Sequence, residues 1–141
     1  MSRRRLSVEE KLLYGGLPVE LSENLRSLNP WWGGLPGMEV PAFKRWPFGR
    51  LKRLITKGMT PATVLRGPRR VGKTILLRQL IESLLAEGVS SQRLLYVPFY
   101  ELPTLRGLRE PVLDIARWYE GEILRATFNE AARKGGTAYL L

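Results

Sequence analysis

The chain has 141 residues, a formal net charge of +10, and neither cysteine nor histidine. Its length suits one folded unit with an N-terminal extension. The missing residue types exclude disulfides, thiolate zinc sites and the catalytic dyads or triads that need cysteine or histidine.

The positive charge is unevenly distributed along the chain. Between Val40 and Ile81 there are eleven Lys or Arg and no Asp or Glu. Such a stretch should attract phosphate groups, either on a nucleotide or along a nucleic acid. An equally open interpretation is that the acidic complement lies in a part of the protein outside this sequence.

The predicted elements begin with short helices. Ser7 and Glu10 fit a capping box, and the stretch "VELSENLRSLN" predicts a second helix. Three prolines and three glycines then predict a loop over residues 29–41. A basic helix is expected over about 43–57, where Gly58 closes it.

Further along, strands and helices alternate. "TVLRG" from Thr63 predicts a short strand, and apolar residues at helical spacing predict a helix over about 72–87 that Gly88 ends. "RLLYVPF" from Arg93 predicts a second strand, a long helix is expected over about 111–134, and "TAYLL" predicts the start of a third strand. This alternation predicts an α/β fold with a parallel sheet.

One motif carries specific chemistry. The stretch "GPRRVGKT" fits the phosphate-loop pattern G-x-x-x-x-G-K-[ST] and stands between a predicted strand and a predicted helix. Its glycines leave no Cβ between the backbone N–H groups and a bound oxygen, and the helix start adds the positive end of its dipole. The predicted binding residues are Gly67, Pro68, Arg69, Arg70, Val71, Gly72, Lys73, Thr74 and Ile75.

Two of these residues have specific expected roles. Lys73 should reach the β- and γ-phosphates and is the predicted catalytic residue, and the Thr74 hydroxyl should bind Mg²⁺. Arg69 and Arg70 occupy variable positions of the pattern, so solvent exposure is the favoured interpretation over contact with phosphate or a partner. The alternative, non-functional interpretation of the whole motif is a surface turn with an unpaired lysine.

Tryptophans are the next candidates for a function. Trp31 and Trp32 could stack on a base, but we favour the interpretation that they fix the loop onto the body of the domain. Trp46 and Trp118 are predicted to be packing residues. Neither of these two carries a separate functional signal.

Carboxylates that could orient Mg²⁺ are scarce. Asp114 is the only aspartate and lies in a predicted amphipathic helix, so it is not assigned to the metal. Glu101 follows a predicted strand, where ligands gather in open α/β sheets, although a solvated loop residue is the favoured interpretation.

With these residues in place, a family resemblance becomes visible. "NPWW", a basic helix, "LRGPRRVGKTILLRQLIESLLAEGVSSQRLLYVPF" and a terminal "YLL" resemble the prokaryotic AAA-type ATPases that carry a poorly characterised C-terminal domain. The resemblance covers about 29–141. It implies a partial P-loop NTPase core of the AAA (ASCE-like) type, with a parallel sheet flanked by helices, at 59–141. A mostly helical and loop N-terminal extension would occupy 1–58.

The same resemblance shapes the functional hypotheses. It implies ATP and Mg²⁺ as cofactors and a homo-oligomer in the complete form. In that family the acidic Walker B element follows the strand that begins here at "YLL", so we expect the chain to stop just before it. Because phosphoryl transfer depends on such groups, we expect ATP binding without efficient turnover, and hydrolysis only in the complete protein.

Two alternatives stay open. A basic nucleic-acid-binding module could contact backbone phosphates through its glycine loop and through Arg3, Arg4, Arg5 and later basic residues, although no base-reading motif accompanies them. The second alternative is a non-catalytic truncated fragment.

No stretch approaches the roughly 20 apolar residues of a membrane span, and the N-terminus lacks a signal-peptide core, so we expect a cytoplasmic protein without a membrane partner. The loop alone does not encode the choice between ATP and GTP.

Overall fold

A computed structural model describes residues 17–37, 39–58, 62–66, 72–102, 105 and 108–141. The chain divides into two compact units, and each is described by itself. The sheet unit takes in the described residues up to Leu35 together with Ser90–Leu141, and the helix unit is Pro36–Val89. The capping box predicted at Ser7 and Glu10 lies outside the described residues, and the domain boundary after residue 58 stays a prediction.

Five α-helices and two strands are described. The helices are α1 (Val19–Leu28), α2 (Pro47–Thr56), α3 (Lys73–Ala86), α4 (Pro111–Tyr119) and α5 (Phe128–Arg133). The strands are β1 (Leu94–Leu95) and β2 (Tyr139–Leu140), and short 3-10 helices cover Pro30–Gly33, Ser91–Arg93 and Phe99–Glu101. The helices predicted over residues 19–29, about 43–57 and about 72–87 are confirmed as α1, α2 and α3.

A two-stranded parallel sheet defines the sheet unit. β1 and β2 pair with Leu94 opposite Tyr139 and Leu95 opposite Leu140. The pairing continues past the strands, because the Val97 N–H donates to the Leu141 carbonyl at 2.9 Å. The predictions of strands within "RLLYVPF" and "TAYLL", and of their parallel direction, are confirmed.

Asn29 and the two tryptophans that follow it cover the other edge of β1. The Asn29 side chain accepts from the Tyr96 N–H at 2.7 Å and donates to the Tyr96 carbonyl at 3.0 Å, as a neighbouring strand would. Trp31 and Trp32 each donate their indole N–H to the Leu94 carbonyl, at 3.0 and 2.8 Å. An edge strand otherwise presents unpaired backbone groups. The 29–32 segment therefore pairs through its side chains with backbone groups of Leu94 and Tyr96.

Apolar residues from both ends of the chain make the core of the sheet unit. Its buried members are Leu17, Leu21, Leu25, Leu95, Val97, Leu102, Leu108, Ile115, Trp118, Tyr119 and Ile123. The Tyr119 ring stacks on Trp32, with ring centroids 5.9 Å apart, and its hydroxyl donates to the Gln92 carbonyl. Burial raises the pKa of Tyr119 well above that of a free tyrosine, and the Arg93 charge opposes this only in part. The hydroxyl therefore stays protonated and keeps its acceptor.

The long helix predicted over 111–134 is wrong, because the chain breaks between α4 and α5. α4 runs into a π-helical turn at Glu120–Leu124, and Arg125 then adopts the left-handed conformation with φ 54°. Thr127 starts α5 with a complete capping box, accepting from the Glu130 N–H at 3.1 Å. The Thr-x-x-Glu spacing that makes this cap is a helix-start signal, and it is visible in the sequence.

In the helix unit, α3 ends where the sequence predicts. Gly88 adopts φ 91°, and its N–H donates to the Leu85 carbonyl while the Val89 N–H donates to the Leu84 carbonyl. These two bonds make a Schellman motif, which satisfies carbonyls that the helix would otherwise leave open. An ion pair between Lys52 of α2 and Glu87 lies beside this end of α3.

The first predicted strand is absent from the described part of "TVLRG". Residues 62–66 belong to no strand, and Val64 is 73% exposed. A strand is stabilised when its backbone groups pair with a neighbour and one of its faces is buried, and an exposed valine shows that no such face forms here. The sheet of the described residues accordingly has two strands instead of the three predicted.

Candidate functional site

The predicted phosphate-binding residues divide into two groups. Gly67, Pro68, Arg69, Arg70 and Val71 lie outside the described residues. The other four, Gly72, Lys73, Thr74 and Ile75, lie at the start of α3. The prediction that a helix opens with the lysine and threonine of the motif is confirmed.

Gly72 is the N-cap of α3 and has a backbone conformation that favours glycine. Its φ is 89° and its ψ is 19°, in the left-handed region. A Cβ atom at this position would lie 3.4 Å from Nη1 of Arg45. Glycine is favoured here because it adopts a positive φ without strain, whereas a Cβ would be only in ordinary van der Waals contact with the guanidinium.

The first turn of α3 can receive an anion. The first hydrogen bond within the helix runs from the Leu76 N–H to the Gly72 carbonyl, at 2.9 Å. The N–H groups before Leu76 have no acceptor inside the helix and point out from its N-terminal end. The first turn contains no acidic residue, so nothing there opposes the positive end of the helix dipole.

Lys73 and Thr74 occupy the first two positions of this turn. Both residues are half-buried. Arg45 is exposed and adds a second cation near the helix start. Two cations, the helix dipole and the N–H groups together favour a polyanion over a neutral ligand.

Arg45 is the site residue that the sequence left unassigned. In the sequence it is one of the basic residues of a possible nucleic-acid track. No sequence pattern links Arg45 to the phosphate loop, because it lies far from Gly72 along the chain. The folding of the helix unit brings the Arg45 guanidinium close to Gly72.

A cavity adjoins the start of α3 within the helix unit. Its volume is about 190 Å³. Its lining includes Phe43, Arg45, Gly72, Ile75, Leu76 and Gln79. The cavity therefore begins beside the N-terminal end of α3 at Gly72 and continues along apolar residues of this helix.

The other candidate residues have mixed outcomes. The prediction that Trp31 and Trp32 fix their loop onto the domain is confirmed by their bonds to Leu94. Trp118 is buried, as predicted, whereas the packing role predicted for Trp46 is wrong because its side chain is 85% exposed. Trp46 lies at the N-cap of α2, where its ring faces solvent.

Asp114 and Glu101, the candidate Mg²⁺ ligands of the sequence, lie in the sheet unit. Asp114 is in the first turn of α4, so its predicted helical setting is confirmed. Glu101 ends a 3-10 helix and is exposed. Among the described residues, no group of three or more Asp or Glu side chains is arranged to hold a metal ion. None of the described helices is long and apolar enough to cross a membrane.

Comparison with known proteins identifies the class to which this site belongs. The sequence profile of a family described as an AAA domain matches residues 59–138, which is more than half of the chain. The chain therefore belongs to the AAA domain family. The match includes the whole phosphate-loop motif and supports nucleotide binding, while the "NPWW" segment lies outside it. No curated protein and no solved structure matches the chain.

Proposed function

We propose that this chain binds ATP with Mg²⁺ at the start of α3, through a Walker A phosphate loop spanning Gly67–Thr74. The observation that carries the proposal is the helix N-terminus at Lys73, opened by a left-handed glycine, in a chain of the AAA domain family. The N–H groups and the helix dipole would hold the phosphates, and the Lys73 ammonium would neutralise the β- and γ-phosphates.

Thr74 is the proposed metal-binding residue. A hydroxyl oxygen is a suitable ligand for Mg²⁺, which usually keeps several waters and binds a substrate phosphate as well. Thr74 is the second residue of α3, so its side chain would lie beside the N–H groups that are proposed to bind the phosphates. When bound, Mg²⁺ would neutralise charge on the phosphate oxygens, and the hydroxyl would hold it there.

Efficient ATP hydrolysis is not proposed for the residues assigned in this chain. A carboxylate that orients Mg²⁺ and a group that positions water are parts of phosphoryl-transfer sites, and losing such a part costs orders of magnitude in rate. Neither Asp114 nor Glu101 is assigned to this task. We therefore propose nucleotide binding for this chain, with efficient ATP hydrolysis requiring groups beyond those assigned in it.

Calorimetric titration of the folded chain with Mg-ATP tests the proposal. Lys73→Ala should weaken binding by about tenfold to a hundredfold, because a charge-assisted hydrogen bond is lost. Lys57→Ala is the matched control, since it removes an exposed lysine that follows α2 and should leave the affinity unchanged. Absence of Mg-ATP binding, or equal affinities in the two variants, would contradict the proposal.

Nucleic-acid binding is the second candidate, and the charge of α2 favours it. Arg50 and Arg53 are exposed on this helix, within the stretch that has no acidic residue. Contacts with backbone phosphates would make the affinity for single-stranded DNA fall steeply as salt rises. If this function is the correct one, DNA should compete with ATP and Arg50→Ala should weaken DNA binding more than ATP binding.

A further inference from the structure

Gln79 is a buried polar residue of the helix unit, and its hydrogen bonding is incomplete. The residue is 4% exposed. Its amide nitrogen donates to the Pro41 carbonyl at 2.7 Å and to the Phe43 carbonyl at 2.9 Å. These two bonds use both N–H protons and fix which end of the amide is the oxygen.

The amide oxygen of Gln79 is therefore an available acceptor. No donor within the described part of the chain reaches Oε1. A buried acceptor without a partner is unfavourable, and a ligand that brings a donor removes this cost. Since Gln79 lines the cavity beside α3, such a donor can arrive from a molecule bound there.

The remaining walls of the cavity suit a flat, largely apolar group. Phe43 is 80% exposed and Ile75 is 44% exposed, although both are apolar. Leu76, which is buried, adds further apolar surface to the lining. An aromatic ring and aliphatic side chains that face solvent can gain by covering one face of a planar ring system.

Size and position indicate which part of a ligand belongs in the cavity. Pockets for whole drug-sized ligands usually measure about 300–1,000 Å³. A volume of about 190 Å³ is sufficient for one ring system but not for a complete nucleotide. The cavity also includes Gly72, which caps the phosphate-attracting helix start, so the phosphates would lie outside it while the base lies inside.

We propose that the cavity receives the base of the bound nucleotide and that Gln79 Oε1 selects a 6-aminopurine. The exocyclic amine of adenine is a donor that Oε1 can accept, whereas guanine and hypoxanthine present an acceptor oxygen at the same position. Phe43 stacks on the ring. This inference rests on the proposed function, and it assigns the choice of base to residues outside the phosphate loop.

The first experiment changes only the ligand. The affinity of the full chain is measured by calorimetry for the Mg²⁺ complexes of ATP, inosine triphosphate and purine riboside triphosphate, and for tripolyphosphate. ATP should bind about tenfold more tightly than the other two nucleotides, because each lacks the amine. Tripolyphosphate should bind more weakly than any of the three, since it lacks the base.

The second experiment changes the protein. Phe43→Ala should lower the affinity for ATP about tenfold and leave that for tripolyphosphate unchanged, as expected for a lost stacking contact. Trp46→Ala is the matched control, because this aromatic ring is equally exposed but does not line the cavity. Gln79→Met should bring the ATP and inosine triphosphate affinities close together. The melting temperature of each variant confirms that it is folded.

The outcomes separate this inference from the proposed function. Equal affinities for ATP and inosine triphosphate, or no effect of Phe43→Ala on ATP binding, would overturn the base site while leaving phosphate binding intact. If neither the nucleoside triphosphates nor tripolyphosphate bind, both the proposed function and the base site are contradicted. Should Gln79→Met prove unfolded, the ligand series and Phe43→Ala still decide the matter.

Discussion

Two buried amides show how differently the sheet unit and the helix unit are built. In the sheet unit, Asn29 uses its oxygen and its nitrogen on the backbone of Tyr96, and its nitrogen also donates to the Leu25 carbonyl at 2.8 Å. In the helix unit, Gln79 uses only its nitrogen. The first amide holds a strand edge closed, while the second leaves an acceptor for a ligand.

The tryptophans repeat this contrast. Trp31 is 6% exposed and bonded to β1, whereas Trp46 of the helix unit is 85% exposed. Saturated polar groups and buried rings stabilise a unit and leave it little capacity to bind. An amide with an unused acceptor and an exposed ring beside a cavity have the opposite properties. We therefore expect substitutions of Asn29 and Trp31 to affect stability and substitutions of Gln79 and Phe43 to affect binding.

Replacing a tryptophan in each unit tests the contrast most strongly. Trp31→Ala should lower the free energy of unfolding by about 3–5 kcal/mol, because a buried ring is lost. It also leaves the Leu94 carbonyl with one donor fewer. Denaturant titration followed by circular dichroism measures the change.

The same substitution at the exposed position is its control. Trp46→Ala should change the free energy of unfolding by no more than about 0.5 kcal/mol, as is usual for a surface residue. Similar losses of stability in Trp31→Ala and Trp46→Ala would show that the exposed fraction of the ring does not determine its contribution to stability.

A smaller loss is expected when the saturated amide is removed. Asn29→Ala leaves the N–H and carbonyl of Tyr96 without their side-chain partner, which should cost about 2–3 kcal/mol of stability. Ser22→Ala is the matched control on α1, because its hydroxyl makes only an exposed bond to the Val19 carbonyl at 2.8 Å. If the two variants have the same melting temperature, the hydrogen bonds from Asn29 to the Tyr96 backbone do not stabilise the protein.

Much of the fold follows from local signals in the sequence. The periodicity of α3 and the glycine after it predict both the helix and its end, because these depend on neighbouring residues alone. The break after α4 was also readable, in the Thr127 and Glu130 spacing, but the helical pattern on either side masked it. The strand predicted at Thr63 failed because pairing requires a partner, and no local pattern shows whether one is present.

The candidate site was predictable only along its own motif. Gly72, Lys73 and Thr74 are fixed by spacing, and α3 begins where that spacing requires. Arg45, Phe43 and Gln79 join the site through contacts between segments distant in sequence, which composition and periodicity do not encode. Trp46 was assigned to packing by its residue type, although aromatic residues can also lie on a surface.

Two glycines of the helix unit offer the finest test, because they differ in backbone conformation while a Cβ would have space at both. Gly88 has φ 91°, whereas Gly49 lies within α2, and a Cβ at either would meet nothing within 4 Å. Gly88→Ala should therefore destabilise the protein by about 1 kcal/mol through the left-handed conformation alone. Gly49→Ala should stabilise it by about 0.5–1 kcal/mol, because alanine favours a helix. Thermal unfolding distinguishes the signs, and a stabilising Gly88→Ala would mean that the Schellman motif does not end α3.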